Sequence, residues 1–161
     1  MAEPPAFERK LRAPQDAARW SAAMARPLVF TNGVFDLLHR GHVTYLARAR
    51  ALGASLVVAL NSDASARRLG KGPERPIQPL EDRMALVAAL ESVDAVTWFD
   101  EDTPAALIAA CRPDVLVKGG DWPVERIVGA REVLARGGQV HSIAFEHQRS
   151  TSALLERIRK R

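Results

Sequence analysis

The sequence predicts a doubly wound α/β domain, in which five parallel strands form one sheet and helices cover both of its faces. Short apolar runs alternate with longer segments of helical periodicity, which is the pattern of strand-helix-strand crossover units. Strands of this kind are apolar because both faces of a parallel sheet are buried. The 161 residues, 47% hydrophobic and 26% charged, suit one globular domain of this class.

The first 26 residues are predicted to form an extension ahead of a domain at 27–161. Prolines and a mixture of charges mark this extension, and one helix is expected around residues 17–25. Five strands are then expected at 28–31, 56–60, 94–98, 114–117 and 139–143. Helices are expected at 42–52, 80–91, 103–111, 124–136 and 153–159.

Local sequence signals support the bounds of these helices. Tyr45, Leu46 and Ala49 have helical spacing in the first helix of the domain, and Gly53 follows its end. Pro104 lies near the start of the helix at 103–111, where proline is well tolerated. Two glycines at 137 and 138 end the helix at 124–136.

A loop rich in glycine and proline, at residues 70–76, interrupts the alternation. It contains two cations, Lys71 and Arg75, and a loop of this composition at the edge of a sheet is often a mobile cover for a ligand. We therefore expect the loop to lie over a binding site.

Polar residues follow four of the predicted strands. They lie at 31–36, at 61 and 63, at 118–122 and at 149–152. Ligands of open parallel sheets bind beyond the carboxyl ends of the strands, where the strand order reverses. The four segments are therefore expected to converge on one crevice.

Composition excludes several classes of protein. No apolar run approaches the ~18 residues of a membrane span, and no signal segment opens the chain, so we expect a cytoplasmic protein without membrane contact. The single cysteine, Cys111, cannot form an internal disulfide and is given no role. The formal charge of +4 suits anionic partners. However, basic residues are dense only in the tail at 157–161, where a solvated helix end is expected rather than a nucleic-acid site.

The most informative segment is residues 33–42, a glycine turn after the first strand that leads into a helix. The backbone N–H groups at a helix start and the positive end of its dipole bind anions. His39 and His42 are three residues apart, so their rings are expected on the same side of the first turn, and Gly41 leaves room for a phosphate. This setting favours stabilising charge on a phosphorus centre.

Other nucleotide and hydrolase motifs are absent from the sequence. It contains neither the P-loop motif nor the dinucleotide-binding glycine fingerprint. No serine or cysteine is placed by sequence to complete a hydrolytic triad with His39 or His42. A zinc site on these two histidines is disfavoured, because His141 and His147 lie far along the chain, and no metal ligation by protein side chains is predicted.

Residues 35–42 resemble the His-x-Gly-His signature of the nucleotidyltransferase superfamily, which includes cytidylyltransferases and class I aminoacyl-tRNA synthetases. Residues 149–152 resemble the Ser-Thr-Thr element of that superfamily. Segments 58–63, 71–76, 81–83 and 113–121 are similar to one branch, the D-glycero-β-D-manno-heptose 1-phosphate adenylyltransferases. The resemblance extends from about Trp20 onward. It departs from the branch at Val34, Gln148 and Ser152, where cysteine, glycine and threonine are expected.

The resemblance implies transfer of AMP from ATP to D-glycero-β-D-manno-heptose 1-phosphate, giving ADP-heptose for lipopolysaccharide core synthesis and pyrophosphate. It implies catalytic roles for His39, His42 and Lys118. The residues implied to bind the nucleotide are Thr31, Asn32, Gly33, Val34, Phe35, Asp36, Gly41, Lys71, Arg149, Ser150, Thr151 and Ser152. Those implied to lie around the sugar substrate are Asn61, Asp63, Arg75, Arg83, Asp121 and Trp122.

The same resemblance implies Mg²⁺ as a cofactor that accompanies ATP, and a sugar kinase as a separate partner in the pathway, because several relatives carry a kinase fused in front of this domain. A homodimer is also expected. Three alternatives remain open. One is a cytidylyltransferase acting on glycerol 3-phosphate or another small phosphate ester, the second is a basic nucleic-acid-binding module, and the third is a nucleotide sensor without turnover.

Overall fold

Five parallel strands form the centre of the protein in the computed structural model, which describes residues 3–147 and 149–160. Gln148, one of the three departures named above, lies outside the described residues. The strands are β1 Leu28–Gly33, β2 Ser55–Asn61, β3 Ala95–Phe99, β4 Val115–Gly119 and β5 Gln139–Ile143. The predicted Rossmann-like α/β fold is confirmed, and the strand bounds agree closely with those expected from the sequence.

The strands lie in the order β3-β2-β1-β4-β5, so the order reverses at β1. β1 pairs in parallel with β2 on one side and with β4 on the other. Because the chain leaves the carboxyl ends of β1 and β4 in opposite directions, a crevice opens between them. The residues after β1 and β4 are therefore the ones that the fold brings together.

Seven α-helices are described: α1 Ala17–Ala22, α2 Arg40–Arg50, α3 Asp63–Arg68, α4 Leu80–Ala88, α5 Ala105–Cys111, α6 Ala130–Ala135 and α7 Thr151–Arg159. Three short 3₁₀ helices lie at Ala6–Lys10, Pro14–Asp16 and Val124–Arg126. Two features differ from the expectation. α3 was not predicted, and the helix expected at 124–136 is divided into a 3₁₀ turn and α6.

A glycine explains the division of that helix. Gly129 precedes α6 with φ +84°, a left-handed conformation that interrupts a right-handed helix. A Cβ atom at this position would lie 2.8 Å from Cγ2 of Ile108 on α5. The chain therefore approaches α5 closely at Gly129 and starts a new helix beyond it.

Apolar clusters lie on both faces of the sheet. On one face, Val29 of β1 packs with Leu46 of α2 and Val87 of α4. On the other face, the next residue of β1, Phe30, packs with Ile108 of α5. Alternate side chains of a strand point to opposite faces, so the apolar first half of β1, Leu28 to Phe30, serves both clusters.

The residues before β1 also pack on the sheet. Phe7 and Leu11 contact the first apolar cluster, and Ala17 of α1 is buried in the second. The backbone N–H of Arg12 donates to the carbonyl oxygen of Val96 at 2.8 Å, and Leu11 forms a parallel bridge with the same residue. This segment therefore covers the outer edge of β3.

No helix in the described part of the chain is both long enough and apolar enough to span a bilayer.

Candidate active site

A cavity of about 680 Å³ lies at the carboxyl ends of β1 and β4, where the strand order reverses. The ends of these strands, the start of α2, the 70–76 loop and the start of α7 form its wall. The sequence-predicted site residues that line it are Asn32, Gly33, Val34, Phe35, Asp36, His39, His42, Lys71, Arg75, Lys118, Trp122, Arg149, Ser150, Thr151 and Ser152. The convergence expected from the sequence is thus present for three of the four polar segments.

The two histidine rings stack on each other at the start of α2. His39 is the N-cap residue with an extended backbone, and His42 lies in the first turn. Their ring centroids are 3.8 Å apart with an interplanar angle of 24°, so both rings lie on the same side, as the spacing predicts. Phe35 meets His42 edge-on, with centroids 5.2 Å apart. Among the described residues, neither ring's Nδ1 has a hydrogen-bond partner.

Burial keeps both rings neutral. Burial first, and then the charge of the neighbouring His39 ring, together lower the pKa of His42 to about 4. The pKa of His39 is lowered too, mainly by burial and then by the Arg149 cation. At neutral pH each ring therefore carries one N–H donor without a positive charge.

Cations give the cavity a positive potential. Lys118, at the end of β4, is half-buried, and burial lowers the pKa of its ammonium group, as does the nearby charge of Lys71. Asp36 is the one carboxylate among the described residues of the wall, and it forms an ion pair with Arg75. Lys118, Lys71 and Arg149 are left to attract an anion.

Asp36 fixes the 70–76 loop and the residues that follow it. Its buried carboxylate accepts hydrogen bonds from Arg75 Nε at 2.7 Å, the Ile77 N–H at 2.9 Å and the Gln78 N–H at 3.0 Å. These partners occupy both carboxylate oxygens. Asp36 therefore organises the cavity wall through the loop.

The start of α7 forms the opposite wall. Ser150 caps the helix by accepting a hydrogen bond from the Ala153 N–H at 3.0 Å. Thr151 is buried and Ser152 is exposed. At the other end of α7, Arg159 donates to Glu74 of the 70–76 loop at 2.8 Å. The start of α7 and the 70–76 loop thus both line the cavity, and the far end of the same helix is bonded to the loop.

Three residues predicted around the sugar lie outside the cavity wall and bond to one another. The guanidinium of Arg83, which is fully buried, donates to Asn61 O at 2.8 Å, Val34 O at 2.9 Å and an Asp63 carboxylate oxygen at 2.6 Å. The Asn61 amide donates to Ser65 Oγ at 3.0 Å. Because their polar groups are occupied in this way, these residues join the end of β2 to the turn after β1.

Thr31, Gly41 and Asp121 also lie outside the wall. Thr31 is buried, and its hydroxyl pairs with the hydroxyl of Tyr45. Gly41 lies beneath the His39 ring, where a Cβ atom would come within 2.9 Å of His39 Nδ1. Asp121 is exposed. Gly41 thus gives the His39 ring its space.

Tyr45 and Phe145 line the cavity although the sequence did not place them there, and so does Gly119, which lies in the 118–122 segment expected at the crevice but was not named as a site residue. The rings of Tyr45 and Phe145 lie with centroids 5.6 Å apart. A Cβ atom at Gly119 would lie 2.8 Å from Phe145 Cζ and 3.3 Å from Tyr45 Cζ. The sequence signal for this part of the wall was the glycine pair at 119 and 120. A glycine lets two aromatic rings pack close to the backbone, as Tyr45 and Phe145 do at Gly119.

Known proteins resemble this chain over most of its length. The cytidylyltransferase-like family model matches residues 30–157. The D-beta-D-heptose 1-phosphate adenylyltransferase of Bordetella bronchiseptica is 55% identical over 156 residues, 96% of each chain. The bifunctional protein HldE of Hahella chejuensis is 53% identical over 94% of this chain, which spans 31% of that longer protein.

Solved structures show the same fold. A lipopolysaccharide core biosynthesis protein from Thermoplasma volcanium superposes with a TM-score of 0.60 at 30% identity, covering 76% of this chain and 98% of that chain. A pantoate-beta-alanine ligase from Francisella tularensis superposes with a TM-score of 0.57 at 11% identity, covering 88% of this chain and 68% of that chain. At this identity the two proteins share the fold alone.

Proposed function

The chain belongs to the cytidylyltransferase-like family of nucleotidyltransferases, and on that premise we propose that it transfers AMP from ATP to D-glycero-β-D-manno-heptose 1-phosphate. The products would be ADP-heptose and pyrophosphate. The observation that carries the proposal is the meeting of two neutral histidines, Lys118 and the start of α7 in one cavity. The similarity to an adenylyltransferase along 96% of the chain supports this choice of substrate.

The proposed reaction needs no nucleophile from the protein. An oxygen of the sugar 1-phosphate attacks the α-phosphorus of ATP, the new O–P bond forms, and the bond from the α-phosphorus to the bridging oxygen breaks as pyrophosphate leaves. The attacking oxygen is already ionised at neutral pH. Catalysis therefore consists of holding two anions in line and stabilising the charge that grows on the leaving group.

His39 and His42 are assigned to the α- and β-phosphates. Neutral rings donate hydrogen bonds that strengthen as negative charge builds up on the phosphate oxygens in the transition state. Stacking at 3.8 Å holds each ring in place before the ligand arrives. A preorganised donor of this kind contributes roughly 2–4 kcal/mol to lowering the barrier.

The remaining triphosphate contacts are assigned to the cations and hydroxyls around the cavity. Lys118 and Lys71 would bind phosphate oxygens from the strand and from the loop. Ser150, Thr151 and Ser152, together with Arg149, would hold the β- and γ-phosphates at the start of α7. The turn at 32–36 would place its backbone against the nucleotide.

The sugar phosphate is assigned to the wall near Arg75 and Trp122, where the indole is 49% exposed. Asp121 lies beside this wall in sequence. Asn61, Asp63 and Arg83 would not contact the sugar phosphate directly. They would position the cavity wall by fixing the turn that carries Val34.

Mg²⁺ is proposed to arrive as part of the MgATP substrate. Within residues 3–147 and 149–160, no group of three or more histidine, cysteine, aspartate or glutamate side chains could hold a metal ion, and the oxygens of Asp36 are occupied. The phosphates would therefore supply its ligands, and the ion would offset part of their charge.

We further propose a cytoplasmic homodimer that receives its sugar phosphate from a kinase, an activity that would be separate from this chain.

Product identification tests the proposal. The protein is mixed with MgATP or MgCTP and with β-heptose 1-phosphate or glycerol 3-phosphate, and both pyrophosphate release and product mass are measured. Rapid release with ATP and the heptose phosphate, with the mass of ADP-heptose, is expected. Release only with CTP and glycerol 3-phosphate would support the cytidylyltransferase alternative, and nucleotide binding without release would indicate a sensor.

A further inference from the structure

A second cavity, of about 410 Å³, lies at the amino ends of the strands. Its wall includes Pro27 before β1, Val115 at the start of β4 and Gln139 at the start of β5. The first cavity instead touches Lys118 and Gly119 at the far end of β4. On β4 the nearest lining residues of the two cavities, Val115 and Lys118, are three positions apart, about 10 Å at roughly 3.3 Å per residue. The second cavity is therefore independent of the first.

Arginine dominates the charge of this second cavity. Arg26, Arg112 and Arg136 line it, whereas Asp114 is the one carboxylate among its described lining residues. Asp114 Oδ2 accepts hydrogen bonds from Arg26 Nη1 at 2.9 Å and from the Leu28 N–H at 2.7 Å. Its charge is thus matched by a single arginine. Two guanidinium groups remain in excess, which favours an anion.

The cavity lies at the carboxyl end of α5, where the partial negative charge of the helix dipole could weaken anion binding. Carbonyl oxygens at the carboxyl end of a helix repel anions when they lack partners. Here Arg26 donates to Cys111 O at 3.3 Å and Arg112 O at 3.0 Å. Arg136 donates to Pro113 O at 3.3 Å. The helix end is therefore already covered by cations.

Arg112 stands in a conformation that usually selects glycine. It follows α5 with φ +47° and is exposed, and its guanidinium makes no hydrogen bond or ion pair with the described residues. A side chain in the left-handed region costs about 1 kcal/mol relative to glycine. The backbone offsets this cost, since the Arg112 N–H donates to Ile108 O at 3.0 Å and its carbonyl oxygen accepts from Arg26 at 3.0 Å, which ends α5 at this residue. The guanidinium takes no part in these bonds and is available to a ligand.

Apolar walls accompany the arginines. Ala18 and Ala22 of α1, Leu52 after α2 and Ala110 of α5 line the same cavity. We propose that this cavity binds a small organic phosphate monoester, with its phosphate on the arginines and its organic group on the alanine and leucine side chains. The proposal does not depend on the reaction at the first cavity.

Phenyl phosphate and inorganic phosphate are suitable probes, with binding followed by amide chemical shifts in NMR spectra. Saturable shifts at Arg112, Gly137 and Gly138 are expected with phenyl phosphate, and weaker binding is expected with inorganic phosphate. Shifts confined to Gly119 and Ser150 would place the probe in the first cavity and overturn the proposal. Equal affinity for the two probes would overturn the assignment of a monoester.

Two variants that each lose one positive charge distinguish binding at this cavity from general electrostatic attraction of the probe to the protein. Arg112→Gln is expected to weaken phenyl phosphate binding about tenfold, as for loss of one charge-assisted hydrogen bond. Arg131→Gln, on an exposed residue of α6 outside both cavities, should leave binding unchanged. Arg112→Gly suits the left-handed backbone and should bind as weakly as Arg112→Gln while remaining fully folded in urea titrations. Equal loss in Arg112→Gln and Arg131→Gln, or full binding by Arg112→Gly, would refute the site.

Discussion

At the scale of the residue, the central feature is a pair of imidazoles held neutral by burial. Two cationic rings at 3.8 Å would repel each other, and burial penalises the charge on each. As neutral groups they contribute N–H donors to the cavity, while Lys118 and Lys71 supply the charge. The site thus separates hydrogen bonding from charge neutralisation.

Removing one ring should slow turnover strongly. His42→Ala is expected to lower kcat about a hundredfold or more, because a preorganised donor to the phosphate is lost. The measurement is pyrophosphate release at saturating substrates. His141→Ala is the matched control, since His141 lies on β5 and pairs with Gln139 at 3.0 Å. Equal rates for His42→Ala and the native protein would contradict the assigned role.

The alkaline limb of kcat/KM should report Lys118. Burial and Lys71 lower the pKa of Lys118, so the cation is lost at a lower pH than for an ordinary lysine and activity falls there. Lys118→Arg should keep its charge and move the limb to higher pH. Lys71→Ala removes the like charge and should also move the limb upward. A limb that stays in place in both variants would assign it to another group.

At the scale of the element, the 70–76 loop is held at its base by Asp36 and is tied to α7 by the Glu74–Arg159 pair. The loop and α7, which both line the cavity, are therefore joined by an ion pair although they are distant in sequence. The Asp36 pair is buried, with Arg75 only 8% exposed, whereas Lys71 of the same loop is exposed. Stability and ligand binding can thus be separated within one loop.

Asp36→Ala should destabilise the fold. It leaves a buried guanidinium without its carboxylate, which lowers the free energy of unfolding by about 3 kcal/mol. Urea titration measures this change. Lys71→Ala should stay within about 0.5 kcal/mol of the native protein while raising the KM for ATP. Equal stability of Asp36→Ala and the native protein would mean that the loop does not depend on this pair.

Two glycines in left-handed conformations allow a paired test of the break before α6. Gly129 and Gly137 have φ of +84° and +81°, but only Gly129 would place a Cβ against Ile108, since nothing lies within 4 Å of a Cβ at Gly137. Gly137→Ala is expected to cost about 1 kcal/mol. Gly129→Ala should cost about 1–3 kcal/mol more because of overpacking. Equal unfolding midpoints in urea for the two variants would contradict the close approach.

The sequence predicted elements whose signals are local. The apolar run at 56–60 predicted β2, which extends one residue further at each end, to Ser55 and Asn61. α3 has six residues and a polar sequence, so it gives no periodic signal; its start depends on the Ser62 cap. The position of Arg83 could not be predicted, because its partners Asn61 and Val34 are brought together only by the sheet.

Within the site, the same distinction holds. The side-by-side placement of His39 and His42 was predicted from their spacing and is confirmed by their stacking, although His39 is the extended N-cap residue and not part of the helix. Tyr45 has the spacing of a core residue, and it is buried, yet it also forms part of the cavity wall. Its second role depends on Phe145, one hundred residues later in the chain, and helical spacing carries no signal for a contact of that kind.

At the scale of the whole molecule, strand order determines where the chemistry lies. The reversal at β1 places the end of β1, which leads to the two histidines, and the end of β4, which carries Lys118, at one crevice. The net charge of +4 therefore says less about the ligand than the position of the cations does. The cavity gathers several of them, and its one described carboxylate, Asp36, is already ion-paired.

Ligand binding should stabilise the whole fold. A non-hydrolysable MgATP analogue at about one hundred times its Kd is expected to add about 2.7 kcal/mol, which raises Tm by about 5–10 °C for a domain of this size. Thermal unfolding with the analogue, and separately with duplex DNA at low salt, measures this. A comparable rise with DNA, lost as salt increases, would favour the nucleic-acid-binding alternative.

The segment at Leu11 and Arg12 that covers β3 also restricts how copies of the chain can associate. Of the two outer strands, β3 is already paired with this segment at Val96, whereas β5 has β4 as its sole strand neighbour in the described chain. The segment at Val96 blocks sheet extension by a second molecule at β3, which leaves the β5 margin for it. Such joining closes after a single pair, because neither partner retains a second margin from which a fibril could grow.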